Sequence, residues 1–161
     1  MEEYKFKRRS TVCMASGEPF REGDVIVSAI YPGEEGFVRR DMREDHFDGA
    51  KEAFSFWRTR MPATEEEETK LDLDLAADFL DRLVREADPA HEGLAYLLTL
   101  LLSRKRRVKI RETRPVTDGE ILTVILPRPE DDATVKVRAP RLSDGDIERL
   151  QAELGRLFGF A

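Results

Sequence analysis

The chain has 161 residues, of which 40% are hydrophobic and 37% are charged, and its formal net charge is −6 at pH 7. This length suits one domain, or one domain with a small appended subdomain, and the apolar content excludes a disordered chain. The single cysteine excludes an intrachain disulfide, and the negative charge argues against a protein that coats nucleic acid by bulk attraction.

Residues 1–9 are polar and lead into no apolar core segment, which predicts that no secretory signal is present. The longest apolar run, Leu94 to Leu102, is about half of the ~18 apolar residues that a membrane-spanning helix requires. We therefore expect a cytoplasmic protein with no membrane partner.

The first predicted element is a β-hairpin. An apolar stretch, Val25 to Ile30, is followed by the turn-forming residues 32–36 and by a shorter stretch, Phe37 to Arg39. Four adjacent like charges at Glu65 to Glu68 repel one another and predict a linker. A β subdomain is thus expected over residues 1–62 and a second segment over residues 70–161, although the two can pack as one domain.

Two helices are predicted after the glutamate run. Apolar residues recur at spacings of three and four from Leu73 to Ala87, which predicts a helix that stops before Pro89. A second helix, from about His91 to Arg106, carries a broad leucine face that requires burial. Because the connection is short, we expect an antiparallel helix pair.

Beyond Arg107 the periodicity of apolar residues changes to two. Three strands are predicted, from Val108, over Ile121 to Leu126, and over Val135 to Ala139. They indicate a three-stranded antiparallel meander with one face to be covered.

A last helix, capped by Ser143 and ending at Gly159, is the predicted cover of the meander. The predicted fold class is therefore α+β, with an N-terminal hairpin, a central helix pair and a helix-covered meander.

One short motif carries candidate metal chemistry. Residues 13–17 read C-M-A-S-G, which is half of a zinc knuckle, C-x-x-C-G, with serine in the second thiolate position. Thiolate binds zinc, and a serine hydroxyl is not a competent replacement. Further along, residues 41–47 read D-M-R-E-D-H-F.

On these segments, and on residues 96–106 (Y-L-L-T-L-L-L-S-R-K-R), the chain resembles an uncharacterised family of small bacterial proteins. That family has a C-x-x-C/S/T-G segment, then D-x-C-x-x-C-W, and later a leucine-rich helix ending in R-K-R. The resemblance implies a zinc-ribbon-like path. It places Cys13 and Ser16 at the first pair of ligand positions, Arg43 and His46 at the second, and Phe47 at the aromatic position.

Ser16 and Arg43 remove two of the four ligands, and Arg43 adds a positive charge that repels a cation. Asp41 or Asp45 could supply a third ligand, but structural zinc sites use four sulfur or nitrogen donors. We therefore expect no metal or other cofactor, and we interpret the four ligand positions as vestigial.

Without metal, Cys13 is expected to be a small buried hydrophobe and His46 a hydrogen-bonding residue on a turn. Packing should then hold the loop in place. The aromatic residues expected to supply it are Phe20, Phe37, Phe47 and Trp57. Trp57, the only tryptophan, is expected to be buried.

A basic run could bind phosphates, because clustered cations release counterions when they neutralise a nucleic-acid backbone. Its members are Arg104, Lys105, Arg106, Arg107 and Lys109, continued by Arg111. The alternative is structural: cations at a helix C-terminus offset the macrodipole, and Lys109 and Arg111 would form the solvent face of a strand. Both interpretations stay open on sequence alone.

Catalysis has little support in the sequence. Neither His46 nor His91 shows a spacing that relates it to a serine or cysteine nucleophile, and no Walker A, G-x-G-x-x-G, H-E-x-x-H or G-x-S-x-G pattern occurs. The leading prediction is a non-catalytic protein-interaction module with a degenerate metal-binding loop and an unidentified protein partner. The alternative is a nucleic-acid or ribosome-associated protein that uses the basic run. A third hypothesis is an enzyme with a site near Asp41, Asp45 and His46.

Overall fold

In a computed structural model of the chain, residues 10–47, 52–128 and 130–158 are described. These residues form two three-stranded antiparallel sheets and three α-helices, which confirms the α+β class. The elements are β1 (Val25–Gly33), β2 (Gly36–Arg43), β3 (Ser55–Arg60), α1 (Glu65–Glu86), α2 (Glu92–Arg104), β4 (Lys109–Val116), β5 (Gly119–Leu126), β6 (Ala133–Pro140) and α3 (Asp144–Phe158).

The chain divides into two compact units. The first unit contains Met1–Phe79 and Glu153–Phe160, and the second contains Leu80–Ala152 and Ala161. The predicted subdomains are two continuous ranges, residues 1–62 and 70–161, whereas the first compact unit also includes residues 153–160. The division into these subdomains stays a prediction.

The sheet of the first unit has the strand order β2-β1-β3. The hairpin of β1 and β2 is confirmed, and the last pair in its register is Gly33 with Gly36. Strand β3 was not predicted, because its sequence, S-F-W-R-T-R, lacks a clean alternation of apolar and polar residues. Pairing with β1 supplies the hydrogen bonds that the local pattern does not specify.

The prediction of a linker at Glu65 to Glu68 was wrong, because these residues form the first turn of α1. Acidic side chains at a helix N-terminus interact favourably with the macrodipole, and this offsets their mutual repulsion. The hydroxyl of Thr64 accepts the backbone N–H of Glu67 at 3.1 Å, and the Glu67 carboxylate accepts that of Ala63 at 2.8 Å. The start of the helix is therefore capped from both directions.

An aromatic cluster forms part of the core of the first unit. Phe37 lies 4.9 Å from both Phe54 and Phe79, and Phe79 lies 5.8 Å from Phe158, measured between ring centroids. Phe79 and Phe158 are fully buried. Aromatic rings at such separations add packing energy beyond the area they bury.

The second unit contains the predicted meander, with strand order β4-β5-β6, and its helix α2 packs against β6. The last helix is confirmed with its predicted cap: the Ser143 hydroxyl accepts the N–H of Asp146 at 3.1 Å, and the Asp146 carboxylate accepts that of Ser143 at 3.2 Å. This reciprocal pair is a capping box, and it lowers the pKa of Asp146. The expected end at Gly159 lies outside the described residues.

Candidate functional site

The segment around Cys13 forms a closed loop, which we call the knuckle loop (residues 12–19), with an antiparallel bridge between Val12 and Pro19. The carbonyl of Cys13 accepts the N–H of Gly17 at 2.7 Å, and Gly17 adopts a φ of 78°. This left-handed conformation favours glycine. The G of the C-x-x-C-G pattern therefore has a backbone role that does not require metal.

Cys13 is fully buried, and its sulfur accepts a backbone hydrogen bond. The backbone N–H of Arg43 donates to Sγ at 3.4 Å. Burial raises the pKa of the thiol, but hydrogen bonds from the Ser16 hydroxyl and from the backbone of Arg43, Ser16 and Ala15 outweigh it, so the pKa is lowered. Ser16 and the backbone of Arg43 thus both lie against the sulfur.

Ion pairs and a hydrogen bond of the Arg43 side chain link β2 to the knuckle loop. Its guanidinium forms ion pairs with Glu18 at 2.7 Å and with Asp24 at 3.0 Å, and it donates to the carbonyl of Pro19 at 3.0 Å. We call Arg43, Glu18 and Asp24 the clasp. A structural metal ion cross-links the segments that bind it. In this protein the Arg43 guanidinium cross-links β2 to the knuckle loop.

The clasp changes the pKa of each of its members. The hydrogen bond from Arg43 lowers the pKa of Glu18, and the backbone N–H of Arg21, followed by Arg43, lowers that of Asp24. The two carboxylates raise the pKa of Arg43. All three groups are therefore charged at neutral pH, and they attract one another.

His46 is exposed in a short 3-10 turn, Glu44–His46, and Asp45 is exposed beside it. Asp41 is buried and directs its carboxylate to Ser28 and Arg39. Within the described ranges, no three His, Cys, Asp or Glu side chains form a group that could hold a metal ion. The residues of the third hypothesis, an enzyme, are thus not brought together as one buried polar site.

The aromatic packing around Cys13 differs from the expectation in two residues. Phe20 and Phe47 pack with the cluster that contains Cys13, as predicted, and Phe56 joins them. Phe37 packs instead against Phe54 and Phe79, and Trp57 is 37% exposed. The prediction that Trp57 is buried was wrong, because side chains alternate along a strand and β3 directs Phe56, not Trp57, into this cluster.

An open cleft of about 420 Å³ lies between the knuckle loop, β2 and the end of α3, all within the first unit. Its lining residues are Ser10, Thr11, Val12, Met14, Phe37, Val38, Arg39, Asp41, Arg156 and Leu157. Met14 is 51% exposed and Val38 is 43% exposed. Both are apolar, so the rim of the cleft presents hydrophobic surface to solvent.

A buried ion network lies at this cleft. The guanidinium of Arg39 pairs with Asp41 at 3.2 Å and with Asp72 of α1 at 2.8 Å, and it donates to the carbonyl of Leu157 at 2.9 Å. Ser28 donates to Asp41 at 2.6 Å. Charged groups that are paired and hydrogen-bonded from several elements hold a fixed geometry, so the floor of the cleft is pre-formed.

Sequence reasoning missed this network, although two signals were available. Ser28 is a polar residue inside the apolar run that became β1. Asp72 lies on the same helical stripe as Leu75, Ala76 and Phe79, at spacings of three, four and seven. A polar residue on an apolar face requires a buried partner, and the partner, Arg39, was identifiable only in three dimensions.

The predicted phosphate-binding run lies at the C-terminal end of α2 and the start of β4. Arg104, Lys105, Arg106 and Lys109 are exposed, and Arg107 is half-buried. Arg106, Arg107 and Lys109 line a surface groove of about 540 Å³ that also contains Asp132. The structure thus brings most of the predicted residues to one surface of the second unit.

Arg106 lies two residues beyond the end of α2 and adopts a backbone conformation that favours glycine. Its φ is 60°, its N–H donates to the carbonyl of Ser103, and the N–H of Arg107 donates to that of Leu102. These two hydrogen bonds form a Schellman motif, in which the left-handed position is usually glycine. A β-carbon at this position costs roughly 1 kcal/mol.

Comparison of the chain with protein-family models, with curated protein sequences and with solved structures finds no match. Among the helices of the described residues, none combines the length and the apolar character that crossing a membrane requires.

Proposed function

We propose that this chain is a non-catalytic protein-interaction module whose degenerate metal-binding loop is closed by the clasp. The observation that carries the proposal is the cleft beside the knuckle loop, with the exposed apolar side chains of Met14 and Val38 at its rim. Exposed apolar surface around a concavity is typical of protein interaction sites. The Arg39 network beneath it supplies a rigid floor, which lowers the entropy cost of binding.

Co-purification from the source cells, quantified by mass spectrometry, tests this proposal. The cleft variant is Met14→Ser with Val38→Ser, and the matched control is Trp57→Ser, which removes an exposed apolar side chain outside the cleft lining. We expect at least one protein to be retained by the wild type and the control and to fall about tenfold with the cleft variant. Equal retention by all three folded proteins would contradict an interaction at this cleft.

A second candidate function is nucleic-acid binding through the basic run, and Arg106 favours it. Strained backbone conformations concentrate at functional sites. Glycine would remove the strain at position 106 but also the cation, and that cation is what a phosphate-binding role requires.

Arg106→Gly tests this second candidate, because it separates binding from folding. Relief of the left-handed strain should raise the free energy of unfolding by a few tenths to about 1 kcal/mol. Affinity for nucleic acid at low salt should nevertheless fall several-fold. If Arg106→Gly bound nucleic acid as tightly as the wild type, Arg106 would have no part in binding.

A further inference from the structure

The strand register collects basic side chains on one face of the meander. Lys109 and Arg114 of β4 are opposite Ile125 and Ile121 of β5, and the acidic Glu112 between them is opposite Thr123. Side chains of cross-strand partners lie on the same face of a sheet. On the other side of β5, the partner of Thr123 is Lys136 and that of Ile121 is Arg138, both on β6. We call the surface formed by Lys109, Arg114, Lys136 and Arg138 the basic face.

The basic face is accessible, because the core of the second unit lies on the opposite face of the sheet. Leu122, Val124 and Val137, which alternate with the outward residues, are buried. All four cations are exposed, and Arg138 also pairs with the carboxylate of Glu92 in α2 at 3.6 Å, which competes with an anion there. Lys136 donates to the hydroxyl of Thr123 at 2.6 Å, which places its ammonium group over the middle of this face.

We propose that the basic face, together with Arg106, binds the phosphate backbone of duplex DNA. The proposal rests on the second candidate function and extends it from a helix end to a sheet surface. It adds Arg114, three residues beyond Arg111, and two residues that are distant in sequence, Lys136 and Arg138.

The geometry of a meander fits a double helix. Strands β4 and β6 flank β5, so their backbones are about 10 Å apart, and the B-DNA major groove is about 12 Å wide. Two rows of long cationic side chains at this separation can contact phosphates of both strands across a groove. The outward positions of the face contain isoleucine, threonine and charged residues but no aromatic ring, so it lacks the stacking platform typical of single-strand binders.

The charge distribution is compatible with this function in spite of the negative net charge. Residues 80–152 contain fourteen basic and thirteen acidic side chains, whereas the whole chain has a charge of −6. Asp132 lines the groove beside Lys109 and opposes an anion there. Binding is therefore expected to be moderate and steeply salt-dependent.

Fluorescence anisotropy of the full chain with a labelled DNA duplex of about 20 base pairs, titrated over salt concentration, tests the proposal. Three double charge reversals are compared. The face variant is Lys136→Glu with Arg138→Glu, the run variant is Arg106→Glu with Lys109→Glu, and the control is Arg40→Glu with Arg60→Glu. The control residues are exposed, lie in the first unit and change the net charge equally.

We expect the face variant and the run variant each to weaken duplex binding at least tenfold and to reduce the salt slope by about 2, one for each lost phosphate contact. The control should change affinity less than twofold, and Asp132→Asn should tighten binding. Circular dichroism and thermal unfolding establish that each variant is folded.

Other outcomes would overturn the proposal in distinguishable ways. Loss of binding with the run variant alone would confine the site to the helix end and leave the second candidate function standing. Equal weakening by all three reversals would mean bulk attraction, and a single strand bound as tightly as the duplex would exclude duplex recognition. If the wild type bound no nucleic acid at low salt, both duplex binding by the basic face and the second candidate function would be contradicted.

Discussion

The backbone N–H of Arg43 lies 3.4 Å from the Sγ of Cys13, so two positions that the resemblance assigns to zinc ligands are in direct contact. Ser16 also lies against this thiol and lowers its pKa. The Cys13 sulfur thus contacts the backbone of β2, while the Arg43 side chain cross-links β2 to the knuckle loop.

The clasp predicts an acid-sensitive contribution to stability. Folding lowers the pKa of Glu18 and of Asp24, so their contribution is present above the unfolded values, near 4, and is lost as pH falls through the lower folded values. Arg43→Met removes their common partner. The difference in free energy of unfolding between wild type and Arg43→Met, measured by urea denaturation, should be largest near pH 6 and shrink below pH 4. A difference that is constant from pH 6 to pH 2 would contradict the clasp.

Introducing thiolates at positions 16 and 43 should create a metal-binding site. Ser16→Cys with Arg43→Cys gives three cysteines and His46 in the spacing of the family pattern. We expect this variant to bind one Zn²⁺, and to give cobalt-thiolate absorption with Co²⁺, because positions 16 and 43 both lie against Cys13. The wild type, titrated alongside, should give neither signal. Tight stoichiometric zinc in the wild type would overturn the degenerate-loop interpretation.

The buried Arg39 network predicts a large loss of stability when its cation is removed. Arg39→Met leaves the Asp41 and Asp72 carboxylates buried without their guanidinium, and breaking such a pair typically costs about 3–5 kcal/mol. Ser28→Ala removes one hydrogen bond to Asp41 and should cost only about 1–2 kcal/mol. Chemical denaturation measures both values. Equal, small losses would mean that the network is not a coupled unit.

The end of α1 predicts a stabilising substitution. Ala87 has a φ of 50°, and its N–H donates to the carbonyl of Leu83, so it holds the left-handed position that glycine prefers. Ala87→Gly should raise the free energy of unfolding by about 0.5–1 kcal/mol. The same substitution inside α2, Ala95→Gly, should lower it by about 1 kcal/mol or more. A gain in stability for Ala87→Gly and a loss for Ala95→Gly in thermal unfolding would support the left-handed position of Ala87. A loss of stability in both variants would contradict it.

Much of the fold was accessible from local pattern. The hairpin of β1 and β2, the meander and the Ser143 cap were predicted, because each depends on the periodicity or the turn chemistry of a short segment. The glutamate run was misjudged because repulsion between neighbouring charges was weighed without the macrodipole that offsets it. Strand β3 was missed because pairing with β1, not its own sequence, makes it a strand.

The candidate site was only partly predictable. The sequence by itself determined that Cys13 would be buried and that a cation would stand at position 43. Only the tertiary structure decided that this cation is held by Glu18 and Asp24, that Arg39 joins Asp41 to Asp72, and that Lys136 shares a face with Lys109. The physical reason is that a residue's chemistry is local, whereas ion pairs and shared faces depend on which distant segments the core brings together.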